Sequence, residues 1–155
     1  MRVRLGKVLL AVCSAMVIMV VLGVNDLAGQ DFKWEGSGGW GPDSNYSKLY
    51  DPQTVENLSG EVIKVEKIIP MKDMYLGVHL VLKTGAETIS VHLGPGWFIK
   101  YQDLRLEKNN KIEIKGSRVN LEGKPVIIAS EVKKGEEMLK LRDGQGFPLW
   151  SAWRR

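Results

Sequence analysis

Residues 77–93 have the sequence GVHLVLKTGAETISVHL, in which apolar and polar side chains alternate on both sides of Gly85-Ala86. Alternation of this kind is typical of half-buried β-strands, and two such runs around a short glycine-containing turn predict a β-hairpin. With the turn at Gly85-Ala86, Leu82 pairs with Ile89, which keeps the apolar side chains of both strands on one face. The stretch therefore predicts a fold built on paired β-strands.

The same register places His79 opposite His92, and these are the chain's only two histidines. Cross-strand neighbours have Cβ atoms about 5 Å apart. Two imidazoles at this distance bind a metal ion when further ligands complete the shell: Met71 or Met74, in the preceding loop, would suit copper, and Asp73 would suit zinc. Two alternatives remain open, in which the histidines lie on the solvent face of the sheet or belong to a site for an organic ligand or a partner.

The first 29 residues have the layout of a signal peptide, with three positive charges in residues 1–7 followed by an uncharged apolar stretch over residues 8–24. Cleavage near residue 29 would release an exported protein, and an uncleaved segment would anchor the chain in a membrane. In both cases we expect the bulk of the chain in the periplasm of a bacterial envelope. Cys13, the only cysteine, lies within this segment, so the exported part has no disulfide and no thiol ligand.

The charge of the exported part is nearly balanced. The net charge of the whole chain is +4, and it falls to about +2 when the basic and acidic residues of the first 29 positions are removed. Basic and acidic residues alternate through the body, as in residues 61–67, and no polybasic track is present. Nucleic acid is therefore not expected as a partner.

The chain divides into four parts by composition. A flexible arm rich in glycine and aromatic residues follows the signal peptide, then a domain of strands, then a tail of aromatic and basic residues. The predicted bounds are 1–29 for the signal peptide, 30–53 for the arm, 54–141 for the domain and 142–155 for the tail.

Within the domain, the pattern over residues 55–69 predicts one long strand with a bulge or bend at Gly60. A Gly-Pro-Gly break and a short helix over residues 97–104 follow the first hairpin. A second hairpin and a short edge strand complete the domain, at residues 111–119, 125–132 and 138–141.

This order of elements predicts a mainly β fold. A long strand, a hairpin, a short helix and a second hairpin occur in this order in the OB-fold, a five-stranded Greek-key barrel with one short helix between strands three and four. A small barrel also leaves few exposed strand edges.

Four segments are similar to a known family: GGWGP at residues 38–42, VENLSGEV at residues 55–62, TISV at residues 88–91 and KIEIKG at residues 111–116. With these segments and its signal peptide, the chain resembles the small exported bacterial OB-fold proteins of the YgiW/YdeI stress-tolerance family. The resemblance implies a periplasmic, single-domain, non-enzymatic protein that binds a small ligand or a partner.

We therefore expect a periplasmic binding module for a small ligand or an envelope protein, and not an enzyme. Trp97 follows the Gly-Pro-Gly break beside His92, so that this end of the barrel, with His79, His92 and Trp97, is the expected ligand site. One alternative is a copper or zinc protein that uses His79 and His92 with Met71 or Met74. Another is a structural adaptor that docks through its aromatic arm and tail.

Overall fold

The computed structural model describes residues 37–154. The predicted signal peptide, residues 1–29, and residues 30–36 of the predicted arm lie outside the described residues. Within the described part, no helix has the length and apolar character needed to cross a membrane. Six strands of this described part form one sheet: β1 (Val55–Ile68), β2 (Gly77–Lys83), β3 (Thr88–Pro95), β4 (Lys111–Leu121), β5 (Lys124–Lys134) and β6 (Glu137–Lys140).

The first hairpin has the predicted register. Strands β2 and β3 are antiparallel, with Leu82 opposite Ile89 and His79 opposite His92. The connection closes where the amide of Thr84 donates a hydrogen bond of 2.8 Å to the carbonyl of Glu87. The alternation of apolar and polar side chains therefore predicted correctly how the two strands pair.

Strand β1 is long and pairs with two other strands. Its first half pairs with β4 and its second half with β2. Gly60 lies near the change of partner, where a Cβ atom would collide with the backbone of Lys83. Of the bulge or bend predicted at Gly60, the bulge is wrong in position, because the register of β1 with β2 shifts between Val62 and Lys64. Glycine in a strand marks either a bulge or the close approach of another backbone, and at Gly60 it marks the close approach of the Lys83 backbone.

Strands β4 and β5 form the second predicted hairpin, around Glu122 and Gly123. Both residues have positive φ, 52° and 81°, as a tight hairpin turn requires. After Gly135 (φ 61°) the chain reverses again, and β6 pairs with β5. The predicted mainly β class is confirmed. The sheet has six strands, whereas the predicted barrel has five, because β6 pairs with β5 as an additional edge strand.

The strand order is β3-β2-β1-β4-β5-β6, with an additional pairing between β3 and β5. All pairings between neighbours in this order are antiparallel, whereas β3 and β5 run parallel over residues 90–92 and 126–128. The pairings of β1 to β5 therefore form a closed circuit, β1-β2-β3-β5-β4-β1.

The short helix α1 (Gly96–Ile99) lies between β3 and β4, as predicted, but it ends at Ile99 and does not extend to residue 104. It is a single turn that follows the Gly-Pro-Gly break, and the amide of Lys100 donates to the carbonyl of Gly96. The chain then crosses in an irregular segment to β4. Between residues 37 and 154, three 3-10 helices lie outside the sheet, at Ser47–Leu49, Pro52–Thr54 and Leu149–Arg154.

Aromatic side chains from both flanks of the sheet complete the hydrophobic core. Trp40 and Tyr46 precede the sheet, Trp150 follows it, and all three are at most 1% exposed. Trp150 packs against Gly94, where a Cβ atom would lie 2.9 Å from the indole ring. The Trp150 Nε1 donates a 2.7 Å hydrogen bond to the carbonyl of Trp40. The flanking segments therefore cover the outer face of the first hairpin.

Candidate functional site

The hairpin brings the two histidines together. Their ring centroids are 6.0 Å apart, and the ring planes are nearly perpendicular at 86°. The side chain of His79 is 14% exposed, whereas His92 is 1% exposed. The difference arises because the ring of Tyr46 stacks over His92, with centroids 6.0 Å apart. The two rings are therefore neighbours in different environments.

Both nitrogens of His79 have hydrogen-bond partners. The Nδ1 atom is 2.7 Å from the hydroxyl of Ser90, and Nε2 is 3.2 Å from a carboxylate oxygen of Glu66. Glu66 also pairs with Lys64 at 2.9 Å. The side chain of His79 is thus held by a polar chain along the outer surface of the sheet.

His92 is held from the other side. Its Nδ1 atom is 3.0 Å from the hydroxyl of Tyr46. Burial lowers the pKa of His92 to about 4, and the nearby charges of His79 and Arg142 act in the same direction. Burial raises the pKa of Tyr46 to about 12. At neutral pH a neutral imidazole therefore meets a neutral phenol, and either ring can supply the shared proton.

The two methionines of the predicted metal site lie in the hydrophobic core. Met74 is 8% exposed, and Met71 packs against the same cluster. A Cβ atom at Gly39 would lie 2.6 Å from the Cγ of Met74, so this side chain also seats the segment before the sheet. Over residues 37–154, no three His, Cys, Asp or Glu side chains are grouped so that they could hold a metal ion.

A buried arginine, Arg142, lies close to His92. It was not identified as a site residue from the sequence, because it begins the predicted tail of aromatic and basic residues. Arg142 is 4% exposed. Its Nη1 donates to the carbonyls of Leu93 and Ala129, the first at 3.2 Å. Its guanidinium lies 4.7 Å from the ring centroid of Trp150. These carbonyls directly follow the parallel β3–β5 pairing, so Arg142 bridges the two strands where their ladder ends.

Trp97 lines a cavity of about 520 Å³ at the end of the sheet that carries α1. Most of the lining is apolar, and it comes from β1, β2, β3, β6, α1 and the segment after α1. The main apolar contributors are Val65, Val78, Leu93, Trp97, Leu104 and Leu139. The exposed side chains of Tyr75 (39%) and Leu76 (50%) extend this apolar surface outward.

Three cationic residues complete the lining: Lys67, Lys100 and Arg105. All three side chains are exposed, and no acidic residue contributes to the lining. Within residues 37–154 none of the three forms an ion pair, although the ammonium of Lys100 lies 4.8 Å from the ring centroid of Tyr101. The site is therefore an apolar cavity with a positively charged rim.

The predicted site residues are thus divided between two places. Trp97 lines the cavity, but neither His79 nor His92 does. The cationic rim was not found from the sequence. Lys67 lies next to the last residue of β1, Lys100 follows α1 and Arg105 lies in an irregular segment, so that no periodic pattern relates them.

The described residues form a small, mainly β domain with one apolar cavity beside its short helix. A family model matches residues 54–139, which span β1 to β6 up to Leu139, and it describes the MamS/MamX magnetosome protein family. The chain belongs to this family. The comparisons with curated proteins and with solved structures gave no match.

Proposed function

We propose that the chain is an exported binding module of the magnetosome, and that it takes an apolar ligand into the cavity beside Trp97 without transforming it. The place of action is suggested by the family description and by the basic and apolar layout of residues 1–24. Of the two expected binding partners, a small ligand and an envelope protein, we propose the small ligand.

The scaffold we propose is an OB-fold barrel of the kind that the YgiW/YdeI resemblance implies. The closed circuit of pairings among β1 to β5 supports it, as does the position of α1 between β3 and β4. In this view β6 is an addition to one edge of β5. The barrel then offers one end, next to α1, as the place where side chains from several strands converge.

The cavity is the observation that carries the proposal. Its volume of about 520 Å³ lies within the range of small-molecule sites, about 300–1,000 Å³. An apolar lining with a few polar groups at the mouth is the usual composition of such sites. The lining offers apolar and cationic side chains rather than paired acids and bases, which suits binding rather than acid–base catalysis.

The adaptor reading is less well supported. It requires the aromatic residues of the arm and tail to be available to a partner. Trp40 is 0% exposed and Trp150 is 1% exposed, and the two are hydrogen-bonded to each other. Trp40 and Trp150 stabilise the domain itself and cannot dock elsewhere without opening the outer face of the hairpin, whereas Phe147 in the tail is 48% exposed.

The test is binding of a neutral apolar probe, N-phenyl-1-naphthylamine, to the purified protein, followed by the increase in probe fluorescence. We expect saturable binding by the native chain. Leu139→Trp, which fills the cavity, should weaken binding by at least about 10-fold, a difference of about 1.4 kcal/mol. Trp97→Ala should also weaken it.

The matched control is Tyr101→Ala, because Tyr101 is 65% exposed and does not line the cavity. Its affinity for the probe should equal that of the native chain. Thermal unfolding of each variant shows whether the domain remains folded. Equal probe binding by the native chain and by folded Leu139→Trp would refute the proposed site.

A further inference from the structure

We infer that the ligand of this cavity is a single-chain amphiphile with an anionic head, of which a fatty acid is the simplest example. The inference rests on the proposed function, because it concerns the same cavity. It adds the chemical class of the ligand, which the proposed function leaves open.

The interior selects the apolar chain. The lining includes the apolar side chains of Leu76, which is 50% exposed, and Tyr75, which is 39% exposed, above the buried side chains of Leu93, Leu104 and Leu139. Apolar surface that is removed from water contributes about 25 cal/mol per Å² to binding. A methylene chain suits this interior because it presents no polar group that would have to be buried without a partner.

The rim selects the head group. Lys67 lines the cavity from β1, and Lys100 and Arg105 line it from the connection between α1 and β4. Their charges are not neutralised by ion pairs in the described part of the chain. A carboxylate at the mouth would lie among these cations while remaining hydrated. Exposed charge pairs contribute only modestly, up to about 1 kcal/mol each, so that the head should set preference and the chain should provide most of the affinity.

The arrangement argues against two other head groups. A quaternary ammonium would be repelled by three like charges, with no carboxylate in the lining to compensate. A neutral alcohol would fill the interior equally well but would gain nothing from the rim. The expected order of affinity is therefore carboxylate, then alcohol, then ammonium.

The experiment measures displacement of N-phenyl-1-naphthylamine by three ligands of equal chain length: dodecanoate, dodecanol and dodecyltrimethylammonium. All are used at pH 8 and below their micellar concentrations. We expect dodecanoate to displace the probe at about 10-fold lower concentration than dodecanol, a difference of about 1.4 kcal/mol. The ammonium compound should be the weakest, and the preference for dodecanoate should decrease as NaCl is raised towards 1 M.

The decisive variant removes the rim charges by Lys67→Gln, Lys100→Gln and Arg105→Gln together. The preference of this variant for dodecanoate over dodecanol should disappear. The preference is taken as the ratio of the two ligands' affinities within each variant, so that a change in overall affinity does not affect it. The matched control carries Lys83→Gln, Lys108→Gln and Lys124→Gln, three exposed lysines that do not line the cavity. It loses the same net charge and should keep the preference.

The outcomes separate the two proposals. Probe binding with equal displacement by dodecanoate and dodecanol would overturn the inference and leave the proposed function in place. Absence of probe binding at the cavity would overturn the proposed function first. If the rim variant keeps its preference for dodecanoate over dodecanol, cations outside the rim recognise the head group, and the inference is overturned. Binding to phosphatidylglycerol vesicles without displacement by dodecanoate would assign the cations to a membrane surface and overturn the inference.

Discussion

The hydroxyl of Tyr46 lies 3.0 Å from Nδ1 of His92, and this contact joins the segment before the sheet to the first hairpin. Both groups are at most 1% exposed. Each is kept neutral by burial, which lowers the pKa of His92 to about 4 and raises the pKa of Tyr46 to about 12. The contact is therefore a buried polar pair whose stability depends on pH.

We expect the domain to lose stability between pH 6.5 and pH 4. In this range the histidine of the unfolded chain, with a pKa of about 6.5, binds a proton. His92 of the folded domain stays neutral until the pH falls to about 4. The unfolded state therefore binds more protons, so that unfolding becomes easier as pH falls. The full effect is about 3 kcal/mol, and it is complete below the folded pKa.

The measurement is urea unfolding at several values between pH 5 and pH 7, a window that lies above the ordinary carboxylate range. His92→Gln should show a much flatter dependence than the native chain. The control, His79→Gln, alters the partly exposed neighbour and should keep most of the slope. Equal slopes for the native chain and His92→Gln would contradict the expectation.

Gly94 tests the packing of the tail against the hairpin. Gly94→Ala would place a Cβ atom 2.9 Å from the Trp150 ring, and this ring is buried. Forcing an extra methyl group into a packed interior costs about 1–3 kcal/mol. Gly85→Ala is the control, because nothing lies within 4 Å of a Cβ atom there. We expect urea unfolding to show the loss for Gly94→Ala and almost no change for Gly85→Ala.

Arg142 tests the junction between β3 and β5. Arg142→Leu keeps much of the apolar stem but removes the donor to the carbonyls of Leu93 and Ala129. Each buried carbonyl left without a partner costs about 1–3 kcal/mol. We expect Arg142→Leu to lower the free energy of unfolding by about 2–4 kcal/mol. An unchanged free energy would mean that the charge costs as much to bury as its hydrogen bonds return.

The Arg142 variant has a second readout. The positive charge of Arg142 contributes to the low pKa of His92. In Arg142→Leu the pKa of His92 should therefore rise towards its ordinary value, although burial continues to hold it low. NMR titration of the imidazole resonances follows this change directly, and a purely structural loss of packing would not produce it in a folded variant.

Arg118 holds three parts of the sheet at the surface. It makes two hydrogen bonds to Glu56 in β1, at 3.0 Å and 2.7 Å, and it also pairs with Glu87 beside the hairpin turn. The side chain of Arg118 is 31% exposed, so that we expect Arg118→Met to cost only about 1 kcal/mol. The cost should shrink in 1 M NaCl.

Lys64→Met is the matched control for Arg118. The Lys64–Glu66 pair is more exposed, at 53% and 44%, and its loss should change stability by almost nothing. The hydrogen bonds from Arg118 lower the pKa of Glu56, so their contribution is present above pH 4.5 and is lost as the pH falls through the lower folded value. Equal costs for the two substitutions would show that the network adds nothing to an isolated pair.

The hairpin register could be predicted because a period of two assigns every side chain to a face, and a shift by one residue would have exposed Leu82 and Ile89. The burial of His92 could not be predicted in the same way. It depends on Tyr46, which is 46 residues away in sequence. The face that is polar by alternation is covered by segments from both flanks of the sheet.

The candidate cavity was only partly predictable for the same reason. Trp97 could be found because a glycine-rich break next to an aromatic residue is a local signal. The cations of the rim are brought together because the connection after α1 lines the same cavity as the second half of β1. Such convergence is a property of the tertiary fold, and hydropathy patterns carry no information about it.

The last prediction tests whether His79 and His92 bind a metal ion. Both nitrogens of His79 and the Nδ1 of His92 already have protein partners, and Met71 and Met74 pack in the core. A metal ion would have to replace these contacts. We therefore expect calorimetric titration with Cu(II), Zn(II) and, under reducing conditions, Cu(I) to show no stoichiometric binding that the His79→Ala/His92→Ala variant loses. Micromolar or tighter binding that this variant abolishes would reverse the conclusion, and it would mean that the outer face of the hairpin opens to admit the ion.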